Sequence, residues 1–528
     1  MPPYRGSKLR REATTKFPRY LRTSLPLLAC LLVTVGFPVH SVRAQSSLPE
    51  YIEEFNVPTR SSAPLGITVD KDGIVWFTES NASKLGRFDV ANHTFKEYPV
   101  PGNGDMWGNT EDRNGILWLT QYSGRGSVNP GGQVVSGGHG RLLRFDPKTE
   151  MFSIVNIPTN SSFPLRITTD SENRLWFTEL LGNKIGMYDS SSNSLIEYEV
   201  PTYFSGPADL TFDRFGTLWF TEAYNQSIAE FFPKNQSFVE YHLSTSDPSK
   251  AISSPIGIAV SERGDVFVAD HGGNWIAQFD PSSNNVMHYP THIPPKDVYP
   301  ISIPNGLLID PAGRVWFCEH GGNSIGYLNP KDGTMVEYPI PTGPISTALW
   351  LALAPNGDVW FTEWDANKIG VVHANLPVPL SVRVSETYLR LEQGSGTTLS
   401  LLTKLSENLE GNGTFRYSWA SYNPQQVSVT FSPTYPSLSG LADTPAQAQL
   451  KIQREISPGR YALGLGIDAG TVRVWTIIPV DVVQVVPSNA KLSISWLLTT
   501  GLLVVLLGAV LGVVVRRRSR RSVSKSNA

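Results

Sequence analysis

Three acidic side chains, Glu222, Asp270 and Glu319, end the similar apolar runs "LWFTE", "VFVAD" and "VWFCE", and two of them are followed at once by histidine, His271 and His320. The glycine pairs Gly272-Gly273 and Gly321-Gly322 come next. Carboxylate oxygens and imidazole nitrogens converging on one point make a ligand set for a divalent cation such as Mg or Ca. A correctly placed histidine can also move a proton as general base. One reading therefore takes Glu222, Asp270 and Glu319 as metal ligands, His271 and His320 as catalytic, and Asp209 and Asn305 as ligand-binding neighbours. The other takes "HGGN" as a polar turn whose glycines supply positive φ. Glu79, Glu179 and Glu363 end equivalent runs, and each has a lysine five residues later, Lys84, Lys184 and Lys368. Those acids and lysines are expected to pair across a hairpin turn as structural glue. Glu222, Asp270 and Glu319 have Ser227, Trp275 and Ser324 at that place instead.

What could bring these residues together is a repeat. The phrase "PLGITVDKDGIVWFTESNASKLGRFDVANHTFKEYPVP" starts at Pro64, with echoes from Pro164, Pro207, Pro255 and Pro304 and degenerate copies around "GILWLTQY" and "GDVWFTEW". Its aromatic anchors are Trp76, Trp118, Trp176, Trp219, Phe267, Trp316 and Trp360, spaced 42, 58, 43, 48, 49 and 44 residues apart. Each unit holds four short apolar or alternating runs divided by Gly, Asn and Asp, the pattern of four antiparallel strands joined by hairpins. Four strands at a period of 40 to 50 residues make a propeller blade. The seventh unit lacks its last strand, and an orphan "YIEEFNVP", residues 51–58, stands before the first; pairing the two closes the ring. Strand one and strand two run antiparallel, so the residues after each initial proline and after each W-F-T surround one mouth of the central channel. The long second interval contains "SGRGSVNPGGQVVSGGHG", an inserted glycine-rich loop directed to that same mouth.

The whole chain reads as all-β: a seven-bladed β-propeller over 45–375, then an immunoglobulin-like β-sandwich over 376–484, then one C-terminal transmembrane helix. Residues 1–44 have a basic stretch, an apolar run and small residues, the plan of an export signal peptide. A linker, 485–491, precedes an uncharged run, 492–515, long enough to span a bilayer, and the basic tail 516–528 is expected to stay cytoplasmic. The expected place is the cell membrane, single-pass, with the ectodomain outside. Removing signal and tail leaves 30 basic against 45 acidic side chains, a charge of about −15. A field of that sign excludes nucleic acid as a partner. Cys318 is the only cysteine outside the signal, so no internal disulfide supports the fold. Asn81, Asn92, Asn160, Asn225, Asn235 and Asn412 begin N-x-S/T glycosylation sequons.

The phrases P-x-G-I, W-F-T-E and N-K-I-G with a closing E-Y-x-V-P strand resemble the streptogramin B lyase (virginiamycin B lyase) family, and more loosely NHL-repeat and gluconolactonase-type propellers. The resemblance covers roughly residues 51–373. It implies a magnesium-dependent lyase that opens a cyclic depsipeptide by elimination, with a histidine base directly after the proline of P-H-G-I, another such histidine, and an acid just after W-F. Here the post-proline residues are Leu65, Trp107, Leu165, Ala208, Ile256, Asn305 and Leu349, and none is histidine. The family's acid falls one place beyond Glu363, where this chain has Trp364. The expectation is a propeller that binds a small molecule, peptide or glycan at the channel mouth, its lyase activity diverged or absent. The alternatives are an active metal-dependent carbon–oxygen lyase or hydrolase using blades four to six, and a cell-surface scaffold or adhesion module.

Overall fold

A computed structural model describes residues 48–485, apart from 124–137, 244–250, 295–300, 345, 408, 410, 422 and 439–442. The signal segment, the apolar run 492–515, the basic tail and most of the glycine-rich insertion lie outside these residues. Among the described residues, secondary structure is β apart from two single 3₁₀ turns, Ser80–Ala82 and Pro424–Gln426, and no helix is long and apolar enough to cross a membrane.

Seven four-stranded antiparallel blades follow one another along the chain, the sixth as part of a larger sheet. Their first strands are Pro64–Val69, Asp105–Glu111, Pro164–Thr169, Pro207–Phe212, Pro255–Val260, Pro304–Ile309 and Ala348–Leu353. Each touches the first strand of the blade before and of the blade after, so together they form a closed inner ring. The seventh blade is completed by Ile52–Asn56, which pairs antiparallel with Lys368–Val372, Ile52 opposite Val372 and Asn56 opposite Lys368.

Two repeated polar latches explain much of the phrase. In the D-x-x-G turn the Asp70 carboxylate accepts the backbone N–H groups of Asp72 and Ile74, and its other oxygen accepts Trp76 Nε1–H at 2.9 Å. Asp112–Trp118, Asp170–Trp176 and Asp310–Trp316 repeat the bond at 3.1, 2.8 and 2.9 Å. The buried indole is thus satisfied within its own hairpin. The threonine of W-F-T works between blades. Thr78 Oγ1 accepts Gly66 N–H at 2.8 Å and donates to Trp107 O of the next blade at 3.2 Å. Thr362 Oγ1 donates to Leu65 O at 2.8 Å, carrying the latch across the closing seam. In blade six the place is taken by the fully buried Cys318, whose Sγ lies 3.8 Å from Gly306 O.

Beyond the propeller two further sheets pack face to face. One orders Leu380–Val384, Gly396–Leu405, Thr444–Ile452 and Val427–Ser432; the other joins Thr414–Trp419, Gly459–Asp468 and Arg473–Val483, with Leu389–Glu392 beside the last. Side chains from both, among them Leu399, Leu401, Leu450, Trp419, Leu463 and Ile467, share one apolar core. The second sheet does not stop at its own edge. Arg473–Val483 also pairs with Thr334–Pro339, the outer strand of blade six, with Glu337 opposite Arg473 and Thr334 opposite Thr476. Blade six and the second region are thereby one continuous eight-stranded sheet.

Candidate functional site at the channel mouth

The acids at the ends of the second strands are placed by the pleat of a wholly buried strand: in all five residues of "VWFTE" at Val75–Glu79 and "VWFCE" at Val315–Glu319, no side chain reaches solvent appreciably. Glu79, Glu179, Glu222, Asp270, Glu319 and Glu363 are all fully buried. They do not project into the mouth. Their expected lysine partners are also engaged elsewhere. Glu79 and Lys84 are cross-strand neighbours, yet Lys84 Nζ binds Glu97 Oε2 on the fourth strand at 2.7 Å and Thr59 Oγ1 at 2.6 Å. Lys184 pairs with Glu197 and Lys368 with Glu54, both at 3.3 Å. The extended lysine reaches past its opposite residue to the glutamate of the E-Y phrase, which was visible in the sequence as the one charged residue of that strand repeated from blade to blade.

Except in blade five, where His288 holds the fourth-strand place, each second-strand acid therefore sits, buried, beside a fourth-strand acid. Burial first, then Glu97, pushes Glu79 up to about 7; burial and Glu197 push Glu179 up to about 9; burial and Glu54 push Glu363 up to about 9. Burial and Glu240 raise Glu222 to about 8. These are neutral or half-neutral carboxyls at physiological pH, which is how a chain holds an acid in a core.

Blade six resolves its missing lysine through the neighbouring sheet. Arg473 Nη1 donates to Ser324 Oγ at 2.9 Å and lies 3.8 Å from Glu337 Oε2. A cation from the second region thus fills the place that Lys84 fills in blade one. Burial and the Glu337 carboxylate hold Glu319 well above the usual range. In blade five the Asp270 carboxylate accepts the N–H of Ser253 and Ser254 at 3.2 and 2.9 Å and the hydroxyl of Ser253 at 3.0 Å. In blade four Ser227 Oγ is 3.1 Å from His242 Nδ1.

The glycines after the histidines serve space rather than φ. None of Gly272, Gly273, Gly321 and Gly322 has positive φ; in blade six Asn323 takes that conformation, at 50°. A Cβ on Gly322 would meet Glu319 Oε2 at 2.8 Å, and one on Gly272 would meet Ser253 Oγ at 2.0 Å. The residue pair admits the buried acid.

Glu222, Asp270 and Glu319 are each held inside a separate blade, and among the described residues no three His, Cys, Asp or Glu side chains are grouped to hold an ion. The magnesium implied by the resemblance does not fit the acids singled out for it. Asp209 is likewise engaged: its carboxylate accepts Arg166 Nε–H at 3.1 Å and Ile258 N–H at 3.1 Å inside the ring.

The mouth itself is apolar. Leu65, Leu349 and Trp350 pack with Trp107, Ile256 and Trp364, and Leu165, Ala208 and Ala223 pack with Trp107, Ile256 and Phe163. Trp107 and Ile256 belong to both groups, so the post-proline residues form one layer across the channel. Trp107 meets Trp364 edge-on at 5.9 Å and Phe163 at 5.1 Å. On one side of this layer His271 and His320 do come together, their ring centroids 5.7 Å apart. Burial, then the neighbouring His320, lowers His271 to about 4; burial lowers His320 while Asp365 opposes it. Asn305, 5% exposed, lies at the post-proline place of blade six and has no partner for Oδ1. Beside the layer, Tyr203, Phe204 and Tyr224 are 92%, 46% and 50% exposed, with Phe204 and Tyr224 stacked at 5.2 Å. Nothing in the sequence reading singled out these aromatics; their signal was three large rings flanking the strands of one blade at the mouth. Of the sequon asparagines, Asn225 next to Tyr224 is half-buried, its Nδ2 donating to Ser227 Oγ at 3.1 Å, and the other five are exposed.

Residues 134–379 match the Virginiamycin B lyase family. The resemblance read from the repeats holds. Among solved structures, selenomethionine-substituted virginiamycin B lyase from Staphylococcus aureus is 25% identical at a TM-score of 0.50, covering 61% of this chain and 98% of that one. A streptogramin B lyase structure is 27% identical at 0.51, covering 61% and 96%. A catalytically inactive virginiamycin B lyase from S. aureus with quinupristin, at 24% identity and a TM-score of 0.50, shares the fold. No curated protein matches the chain.

Proposed function

We propose that this chain is a ligand-binding propeller of the streptogramin-lyase fold, exported and anchored by the run 492–515, that uses the mouth layer for recognition and not for lyase chemistry. One observation carries the reading: six of the seven post-proline positions, where that chemistry needs a proton acceptor, are packed together as Leu65, Trp107, Leu165, Ala208, Ile256 and Leu349, and the seventh is the amide Asn305. Aliphatic and indole side chains accept no proton from carbon. What the mouth offers instead is an apolar floor, a stacked aromatic ledge and two neutral imidazoles. That combination suits a ligand with ring faces and uncharged hydrogen-bonding groups, such as a cyclic peptide or a glycan. The two-sheet region after residue 376 fits an immunoglobulin-like spacer between the propeller and the bilayer.

Quinupristin serves as the probe, because a related lyase structure carries it. The full chain with Mg²⁺ is expected to leave quinupristin unopened by chromatography while changing tryptophan emission on titration. Appearance of the linear product would restore the lyase reading. An emission change that survives both Trp364→Ala and Tyr224→Ala would remove the mouth as the binding surface.

A further inference from the structure

Away from the mouth, below the apolar layer, the inner ring lines an open cavity of about 380 Å³ bounded by the ends of all seven first strands. Its wall is two-sided. The equivalent inward position carries Thr68, Thr110, Thr168 and Thr211 in blades one to four, and Ala259, Leu308 and Ala352 in blades five to seven. Two residues nearer the mouth on the same strands, blades one, two, five and six have Gly66, Gly108, Gly257 and Gly306, while blades three, four and seven have Arg166, Asp209 and Trp350. The glycines are tight against the next blade's backbone: a Cβ on Gly66 would lie 2.1 Å from Trp107 O. The three larger side chains fill the middle together. Arg166 donates through Nε to Asp209 at 3.1 Å, and its guanidinium lies over the Trp350 ring at 3.9 Å.

We propose that this lumen binds a small monocarboxylate, held by the two terminal amino groups of Arg166. Among the described residues Arg166 gives only its backbone N–H and Nε–H to protein acceptors, Thr178 and Asp209. One edge and one face of the guanidinium are thus fixed, and the outer edge, a planar pair of donors matching a carboxylate, faces the lumen without a protein acceptor. Such an arginine has already lost its rotamer freedom, so the ligand does not have to order it. The threonines surround the carboxylate end, and Ala259, Leu308 and Ala352 face an aliphatic or aromatic body. Asn109, between the inward-facing places of Gly108 and Thr110, turns instead into the seam with blade one, where its Nδ2 donates to Trp76 O at 3.0 Å, and takes no part. A second carboxylate is disfavoured, since it would face Asp209, whose oxygens already accept from Arg166, Leu210 and Ile258. The volume is at the low end of small-molecule pockets, which sets the ligand at fragment size.

The test uses 4-hydroxybenzoate as probe and 4-hydroxybenzamide as its neutral control, on the full chain. Phenylglyoxal attacks free guanidinium amino groups, and peptide mass spectrometry follows its addition to Arg166. Labelling of Arg166 is expected, slowed several-fold by the acid and not by the amide. An unlabelled Arg166, or equal rates with and without the acid, overturns the proposal. Arg166→Lys keeps a cation beside Asp209 but has no fork, so its affinity for the acid is expected to fall about tenfold with little change in melting temperature. Unchanged affinity in that variant also overturns the proposal. If the variant does not fold, protection of the native arginine decides alone.

Discussion

At Glu179 a carboxyl is sealed from water next to a second carboxylate, and its pKa rises to about 9. The consequence for stability follows from proton uptake. Between the ordinary carboxylic range and the raised value the folded state binds more protons than the unfolded one, so stability is fully present below about pH 4.5 and is lost as pH climbs towards 9. Each pH unit in that window removes up to about 1.4 kcal/mol per such group. Melting temperature measured at pH 5 and pH 8 should fall in the native chain and fall less in Glu179→Gln, which carries a permanently neutral side chain. An identical slope in both would show that the carboxyl ionises freely. The sequence showed the acid and the lysine five residues later, and their backbones are indeed opposite neighbours. It did not show that a lysine can extend across to Glu197 on the fourth strand, because which strand of the sheet lies beyond is a property of the assembled blade. The same holds for His271 and His320: two tripeptides in adjacent repeats became one juxtaposition, whereas the acids beside them turned inwards.

Among elements, the last strand of the second region, Arg473–Val483, contributes both backbone pairing and a charge to blade six. Removing that charge leaves Glu319 and Glu337 buried together with no cation, and breaking a buried ion pair from one side costs about 3–5 kcal/mol. Arg473→Gln should therefore lower the melting temperature markedly at pH 8 and less at pH 5, where both acids hold protons more readily. The compensating change is specific. Ser324→Lys restores to blade six the lysine found in blades one, three and seven, and should recover most of the loss in the Arg473→Gln background; failure to do so would mean that Arg473 acts by packing and not by charge. Blade identity was legible from the recurring tryptophan, the turn aspartate and the threonine because they serve bonds repeated from blade to blade, the aspartate–tryptophan bond in four blades and the threonine latch in five. The edge-to-edge joining of two sheets was not, since it is made by backbone groups that every residue possesses.

For the molecule as a whole, the repeat period disclosed the ring and the orphan strand its closure, and the pairing of Ile52–Asn56 with Lys368–Val372 is the one long-range contact that pattern alone could reach. The second region is continuous with blade six through their shared sheet. Calorimetry of the full chain should accordingly give one unfolding transition for both regions, and two well-separated transitions would refute the coupling. A chain ended at residue 376 loses Arg473 and leaves the Thr334–Pro339 edge open, so it should self-associate, as unprotected edge strands do; a stable monomer would show that the edge is protected by other means.

That shared sheet also determines where a mechanical load would go. A pull applied at the C-terminal end enters through Val483, runs along the Arg473–Val483 strand, and is divided among its ten-residue ladder with Gly459–Asp468 and its shorter ladders with Leu389–Glu392 and Thr334–Glu337. These ladders lie along the strand that carries the force and resist it in shear, with their bonds stressed together. The seam where the first and last strands of the propeller meet, in blade seven, lies off this route. Traction on the C-terminal end would therefore tug a blade whose four strands are contiguous in the chain, and spare the one joint whose peeling would open the ring.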